Sequence, residues 1–484
     1  MPNRCLAERF AAAQKTLKSI NQDHVLRFYD RLEDSARECL LSQIESIDWS
    51  EIGRLIETHV NETPESGLPD VIEPAPFYPR RPTEALAAKY MEARMHGESL
   101  IRAGKVAAFT VAGGQGTRLG WDGPKGMFPA TPLRRVSLFE CLAEYIGKVQ
   151  RKYDTTVPWY VMTSPANDSA TREYFAQHDF LGLDPETVMI FPQGMMPAVD
   201  LATSRILLAD RDQLALSPNG HGGSLRALSK SGAVDNMIRR GVEQISYTQV
   251  DNPVVCVVDP LFLGLHAVDD CDMSSKALAK TDPYERVGVF ASIDGKVTVI
   301  EYSDLPMDLA EARDENGRLR FGAGSIAIHA IRVDFVQRLN RSQVAGLPFH
   351  RAEKKVSFVD TETGKYVSPE APNAVKFEMF VFDALPLCTR SMVYETDRIE
   401  EFAPIKNADA PVIDESVDSP ATSQRIQIER AARWLEVRGV DVPRDGQGRV
   451  DAKIEISALT AVAPEDLIGV QLPPSIKKGE ELLL

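Results

Sequence analysis

VAAFTVAGGQGTRLGWDGPKGMFPA, residues 106–130, decides how the rest of the chain is read. It opens on a short apolar run that ends directly in glycines, the pattern of a buried strand feeding a loop. Gly113, Gly114 and Gly116 carry no Cβ, so the backbone there can take unusual φ values and bring N–H donors close to an anion. Glycine clusters also make ordinary tight turns. Arg118 and Lys125 in the same loop turn the reading toward phosphate. Two commoner phosphate motifs do not fit. A dinucleotide fingerprint starting at Gly114 needs a third small residue where Leu119 stands, and a P-loop needs Gly-Lys followed by Ser or Thr where this loop has Pro124, Lys125 and Gly126.

Downstream, short apolar runs (VPWYVMTS, TVMIFPQG, QISYTQVDN, NPVVCVVD, GSIAIHAIRV, MFVFDAL) alternate with helical segments. That alternation predicts an α/β domain with a doubly wound, mostly parallel central sheet, and ligands beyond the carboxyl ends of its strands. Upstream, Leu26, Phe28, Leu32, Leu40, Ile44, Ile52 and Ile56 recur at helical spacing. Past residue 394 the pattern becomes mixed, with a helix-like QRIQIERAARWLEVRG and a strand-like GRVDAKIEIS. The expected organisation is a helical N-terminal region over residues 1–100, a central catalytic domain over 101–394 and a small α+β domain over 395–484.

With 484 residues, 43% hydrophobic and 26% charged, the chain is long enough for more than one core. Its net charge of -15 repels polyanions, so nucleic acid is not an expected partner. The six cysteines show no metal-binding spacing and read as reduced thiols. MPNRCLAERFAAAQ lacks the apolar stretch of a secretory signal, and no run approaches the roughly 18 apolar residues that span a bilayer. A cytoplasmic protein without a membrane partner is expected.

GGQGTRLGxxxPKGM is long enough to be specific, and it resembles the signature of the UDP-sugar pyrophosphorylases. The likeness continues through MTSPANDSATREYFAQHDFLGL (162–183), FPQGMMPAVD (191–200), SPNGHGG (217–223), QVDNP (249–253), DPLFLG (259–264), EYSD (301–304), PNAVKFEMFVFD (372–383) and PIKNA (404–408). KFEMFVFD, PIKNA and the late Glu455 segment most resemble the eukaryotic-type UDP-N-acetylglucosamine pyrophosphorylase branch. The resemblance implies the Rossmann-like fold of nucleotide-diphospho-sugar transferases. It also implies a reaction in which the oxygen of a sugar 1-phosphate attacks the α-phosphorus of UTP and pyrophosphate leaves.

That nucleophile is already anionic, so no general base is needed, and catalysis reduces to positioning and charge neutralisation. By resemblance Lys125 is the catalytic lysine, with Arg118 and Lys406 beside it. Gly113, Gly114, Gln193 and Gly194 would hold the uracil and the triphosphate, the Gln193 amide offering one donor and one acceptor to the base. Asp251, at a predicted strand end, is the expected carboxylate for Mg²⁺ or Mn²⁺. Glu301 could accept bonds from sugar hydroxyls. Phe380 and Phe382, two apart on a predicted strand, would share a face and seat an acetyl methyl. Where the branch carries Asn in the turn after Gly220 and in the AGNIA segment, this chain has His221 and Ser325, and the GHG turn is reminiscent of UDP-glucose pyrophosphorylases. The expected activity is uridylyl transfer to N-acetylglucosamine 1-phosphate, with glucose 1-phosphate or broad sugar use as the alternative.

Overall fold

Apolar side chains on both faces of Val106–Val111 require a strand covered on both sides. In the computed structural model, which describes residues 5–62, 67–69, 71–341, 346–412 and 417–484, its first five residues are buried. It pairs in parallel with Gln244–Gln249 on one edge and Trp159–Thr163 on the other. The central sheet runs in the order Phe77–Tyr78, Ser391–Glu395, Met273–Ala279, Ala323–Arg332, Gln244–Gln249, Val106–Val111, Trp159–Thr163, Val188–Pro192. Along this path only Ala323–Arg332 is antiparallel to its neighbours, so the sheet is mostly parallel.

Helices cover the sheet. Leu138–Tyr153 starts at a capping box in which Ser137 and Glu140 satisfy each other's backbone N–H groups. Glu84–Arg102 crosses Pro260–Val268 so closely that a Cβ on Gly97 would lie 1.8 Å from the Pro260 carbonyl oxygen, and one on Gly264 would lie 1.7 Å from that of Ala93. Among the described residues no helix is long and apolar enough to cross a membrane.

The chain divides into two compact units that interleave along the sequence. One comprises Val71–Gln193, Ser224–Gly346 and Phe382–Leu484 and carries the central sheet; the other comprises Met1–Asp70, Gly194–Gly223 and Leu347–Val381. In this second unit the helices Leu6–Ser19, Asp34–Ser46 and Trp49–Ile56 bury Leu17, Leu40, Leu41, Ile44, Ile52 and Leu55. The same core includes Met196, Val199, Val375 and Phe377 from the short strands and Phe349 just before one. This grouping differs from cuts at residues 100 and 394. Periodicity reveals an apolar helix face but not what covers it, and here the cover comes from segments far along the chain. The last residues form a core of their own around Ala432, Trp434, Leu435, Ile454 and Leu467, counted in the first unit.

Two expected strands are absent. NPVVCVVD is a buried irregular segment. Its carbonyls find partners off the ladder: Ser246 Oγ donates to Val257 O, Arg430 Nη1 to Val254 O and Tyr145 Oη to Val258 O. MFVFDAL instead enters a 3₁₀ helix, Val381–Leu387.

Candidate functional site

The Gly-rich loop leaves the carboxyl end of Val106–Val111 and is held from beneath by Asn167. The Asn167 Nδ2 donates to the carbonyls of Ala112 at 3.0 Å and Gly114 at 3.2 Å, while its Oδ1 accepts from the Ser164 N–H at 2.7 Å. The loop closes on itself through Lys125 N–H to Gly114 O and Gly116 N–H to Gly123 O. Gly113 lies against the Gln193 amide, where a Cβ would stand 2.9 Å from Nε2. Gln193, largely buried, is brought against Gly113. Gly114 is exposed.

Lys125 Nζ lies 3.2 Å from Asp251 Oδ2, with side-chain exposures of only 15% and 12%. A cation and a carboxylate largely withdrawn from water at the mouth of a glycine loop form a strong local field. The segment carrying Lys406 is tied to Asp251 and to Arg118: Ile405 N–H donates to Asp251 O at 2.9 Å, and Ala408 N–H to Arg118 O at 3.2 Å. Lys406 Nζ pairs with Asp418 Oδ2 at 3.3 Å and lies over the Phe402 ring. Arg118 is exposed, and its carbonyl is the acceptor of the Ala408 bond. Glu301 and Ser325 flank Gly288: Ser325 N–H donates to Gly288 O at 2.7 Å, and a Cβ on Gly288 would lie 3.3 Å from Glu301 Oε1.

Gly194, Gly220, His221 and Phe380 belong to the second unit. Gly194 O accepts from the Asn219 N–H. Gly220 takes φ +77, and a Cβ would fall 2.4 Å from Met379 O. Gly222 N–H donates to Met379 O and Met379 N–H to Asn219 O, so the turn replaces a neighbouring strand as the partner of this backbone. His221 Nδ1 accepts from the Val381 N–H at 3.2 Å. These bonds end the strand at Glu378, and the expected shared face of Phe380 and Phe382 does not form. Phe380 instead stacks with two imidazoles, His221 at 5.3 Å and His350 at 4.5 Å between ring centres, with interplanar angles of 29° and 30°. Phe382 is buried in the 3₁₀ helix, in the first unit. Burial, then the charge of His350, lowers the His221 pKa to about 4, so its ring is neutral at ordinary pH.

Among the described residues Cys256, Asp259 and Glu401 could in principle hold a metal. Their oxygens are taken by the Lys276 ammonium, which does not fit a second cation. Asp251 fits a hard divalent ion better: a single carboxylate beside a phosphate-type loop, where the remaining ligands would be phosphate oxygens and water. Asn167, Asn252, His350 and Lys276 escaped the reading of the sequence. Asn167 and Asn252 lie inside the segments MTSPAND and QVDNP without a role assigned to them, and an asparagine just past a strand end was the available signal.

A doubly wound α/β sheet with a glycine loop beyond its strand ends, faced by a lysine–aspartate pair, defines a nucleotide-binding architecture. The chain belongs to the UTP–glucose-1-phosphate uridylyltransferase family, whose model matches residues 68–435. It is 35% identical over 492 residues to UDP-N-acetylhexosamine pyrophosphorylase-like protein 1 of Mus musculus, covering 95% of this chain and 94% of that one. It is 36% identical over 377 residues to the UDP-N-acetylglucosamine pyrophosphorylase of Saccharomyces cerevisiae, covering 77% of each. Its fold superposes on the uridine diphosphate N-acetylglucosamine pyrophosphorylase of Trypanosoma brucei with a TM-score of 0.83 over 98% of both chains, at 26% identity.

Proposed function

We propose that this protein is a uridylyltransferase that forms UDP-N-acetylglucosamine and pyrophosphate from UTP and N-acetylglucosamine 1-phosphate. The observation that carries this reading is the Lys125–Asp251 pair at 3.2 Å beside the Gly113–Gly114 loop, in a chain of this family. The sugar phosphate oxygen attacks the α-phosphorus in line. The P–O bond to the β-phosphate breaks, and the leaving pyrophosphate keeps the electron pair. Lys125 neutralises charge developing on the α-phosphate, and Arg118 and Lys406 neutralise the leaving group. Gly113 and Gly114 present N–H groups to the triphosphate, and the Gln193 amide pairs with the uracil edge. Gly194 lets the chain pass close to the nucleotide. Asp251 would hold Mg²⁺ or Mn²⁺, which supplies electrostatic stabilisation of the phosphates. Gly220, His221, Glu301, Ser325, Phe380 and Phe382 are the sugar-side residues of this reading. The free thiols agree with a reducing, cytoplasmic setting.

A second reading, transfer to glucose 1-phosphate, is favoured by one observation: the His221 ring fills the turn where the N-acetyl branch carries Asn. Pyrophosphate release from UTP, Mg²⁺ and a panel of sugar 1-phosphates tests both. N-acetylglucosamine 1-phosphate should be preferred by about 1–3 kcal/mol in kcat/KM, with glucose 1-phosphate a detectable substrate. Asp251→Asn should raise the metal concentration needed. No release with any sugar, or turnover that survives EDTA, would overturn the proposal.

A further inference from the structure

A fully buried cation takes no part in the reaction just described. Lys276, on the strand Met273–Ala279, is 0% exposed, and its Nζ donates to Asp259 Oδ2 at 2.6 Å and to the two Glu401 oxygens at 2.5 and 2.7 Å. Asp259 is itself fixed, because its Oδ1 caps Pro260–Val268 by accepting the N–H groups of Leu261 and Phe262. Glu401 passes the constraint on. Its carbonyl accepts from Asn252 Nδ2 at 2.6 Å, Asn252 Oδ1 accepts from the Ala403 N–H at 3.1 Å, and the Asp251 carbonyl accepts from the Ile405 N–H at 2.9 Å. Lys406 is the next residue.

We infer that Lys276 is a positioning residue: by holding Glu401 it locks Glu401–Lys406 against Asp251 and Asn252, and so sets where Asp251 and Lys406 stand when UTP and its metal bind. The inference rests on the uridylyl-transfer reading. Stability alone does not call for this cation. Apolar side chains of similar volume often serve a buried site as well as an ion cluster does, and the Phe262 ring, 5.2 Å from Nζ, shows that apolar neighbours are at hand. What the ammonium adds is direction. Three oxygens around one nitrogen admit one placement of Glu401, whereas an apolar contact tolerates sliding.

Four variants test it: Lys276→Met, Lys276→Met with Glu401→Gln, Asn252→Ala, which cuts the link while leaving the ion cluster whole, and the double variant with Asn252→Ala added. Each is read by thermal melting, by the metal concentration giving half of the melting shift that UTP produces, and by kcat. The double variant neutralises Glu401 and leaves Asp259 with only the Leu261 and Phe262 N–H groups as partners, so it should melt above Lys276→Met and below the wild type. It should still need more metal for half the shift and lose kcat by about tenfold or more. Asn252→Ala should do the same, and adding it to the double variant should cost little further, because both act on one linkage. A double variant with wild-type metal dependence and kcat overturns the inference. If that protein does not fold, Asn252→Ala decides by the same measurements, and wild-type values there overturn it. A wild-type protein inactive with every sugar 1-phosphate sinks the uridylyl-transfer reading and this inference with it. An active wild type with unaltered variants sinks this inference alone.

Discussion

At Lys125 a single side chain connects the glycine loop to Asp251, and the two exposures of 15% and 12% leave both charges only partly screened. A residue so placed should matter to the transition state far more than to the fold. Lys125→Ala should stay folded with a modest fall in Tm and lose kcat on the order of 10²-fold or more, measured by pyrophosphate release. A folded variant with near-normal turnover would remove Lys125 from the chemistry. His221 makes two kinds of contact that pull apart under substitution. Asn in its place keeps an acceptor for the Val381 N–H but loses the ring stacked on Phe380. His221→Asn combined with Ser325→Asn should therefore shift kcat/KM toward the N-acetyl sugar, within the roughly 1–3 kcal/mol that one small group can command. An unchanged ratio of the two sugars would sever His221 and Ser325 from sugar choice.

Between elements, the crossing of Glu84–Arg102 and Pro260–Val268 depends on two glycines facing main-chain carbonyls at distances no methyl can occupy. The obstacle is backbone, not a flexible side chain, so the helices must separate. Gly97→Ala and Gly264→Ala should each destabilise by about 1–3 kcal/mol, seen as a lowered Tm, with the double variant losing less than the sum. Additive losses would place the two glycines at independent contacts. The same scale explains the apolar run Asn252–Asp259, which lies in no strand. Strand-like composition reports burial on both sides. It does not report that Ser246, Arg430 and Tyr145 will satisfy the carbonyls that a ladder would otherwise take.

Across the whole molecule, neutral buried histidines tie stability to pH. Burial lowers His266 to about 3, and burial and the nearby His350 lower His221 to about 4, against 6.5 for both in an unfolded chain. Between those values the unfolded chain binds protons that the folded chain does not. Acid therefore favours unfolding, and stability climbs as pH rises from about 4 to about 6.5 before levelling. Tm measured across that window should fall on acidification, less steeply in His266→Gln. A flat Tm between about pH 5 and 6.5 would show that these rings titrate normally.

The residues 106–130, read alone, were enough for the strand, the glycine loop and the expectation that Lys125 and Gly113 face a ligand, because strand pattern and glycine chemistry are local properties. The mostly parallel sheet followed from alternation, again a local signal. Which segments share a core did not follow. The helices of residues 6–56 are covered by Met196, Phe349 and Phe377, and nothing in their own sequence names those partners. The antiparallel run of Ala323–Arg332 and the end of the strand before Phe380 were likewise settled by neighbours: Gln244–Gln249 and Met273–Ala279 in one case, the turn at Gly220 in the other. Lys276 is the sharpest instance. In sequence it is one lysine in a strand, and only the convergence of Asp259 and Glu401, 17 and 125 residues away, makes it a buried cation. Local chemistry is written in adjacent residues, whereas burial and charge pairing depend on chain segments that only tertiary folding brings within a few ångströms.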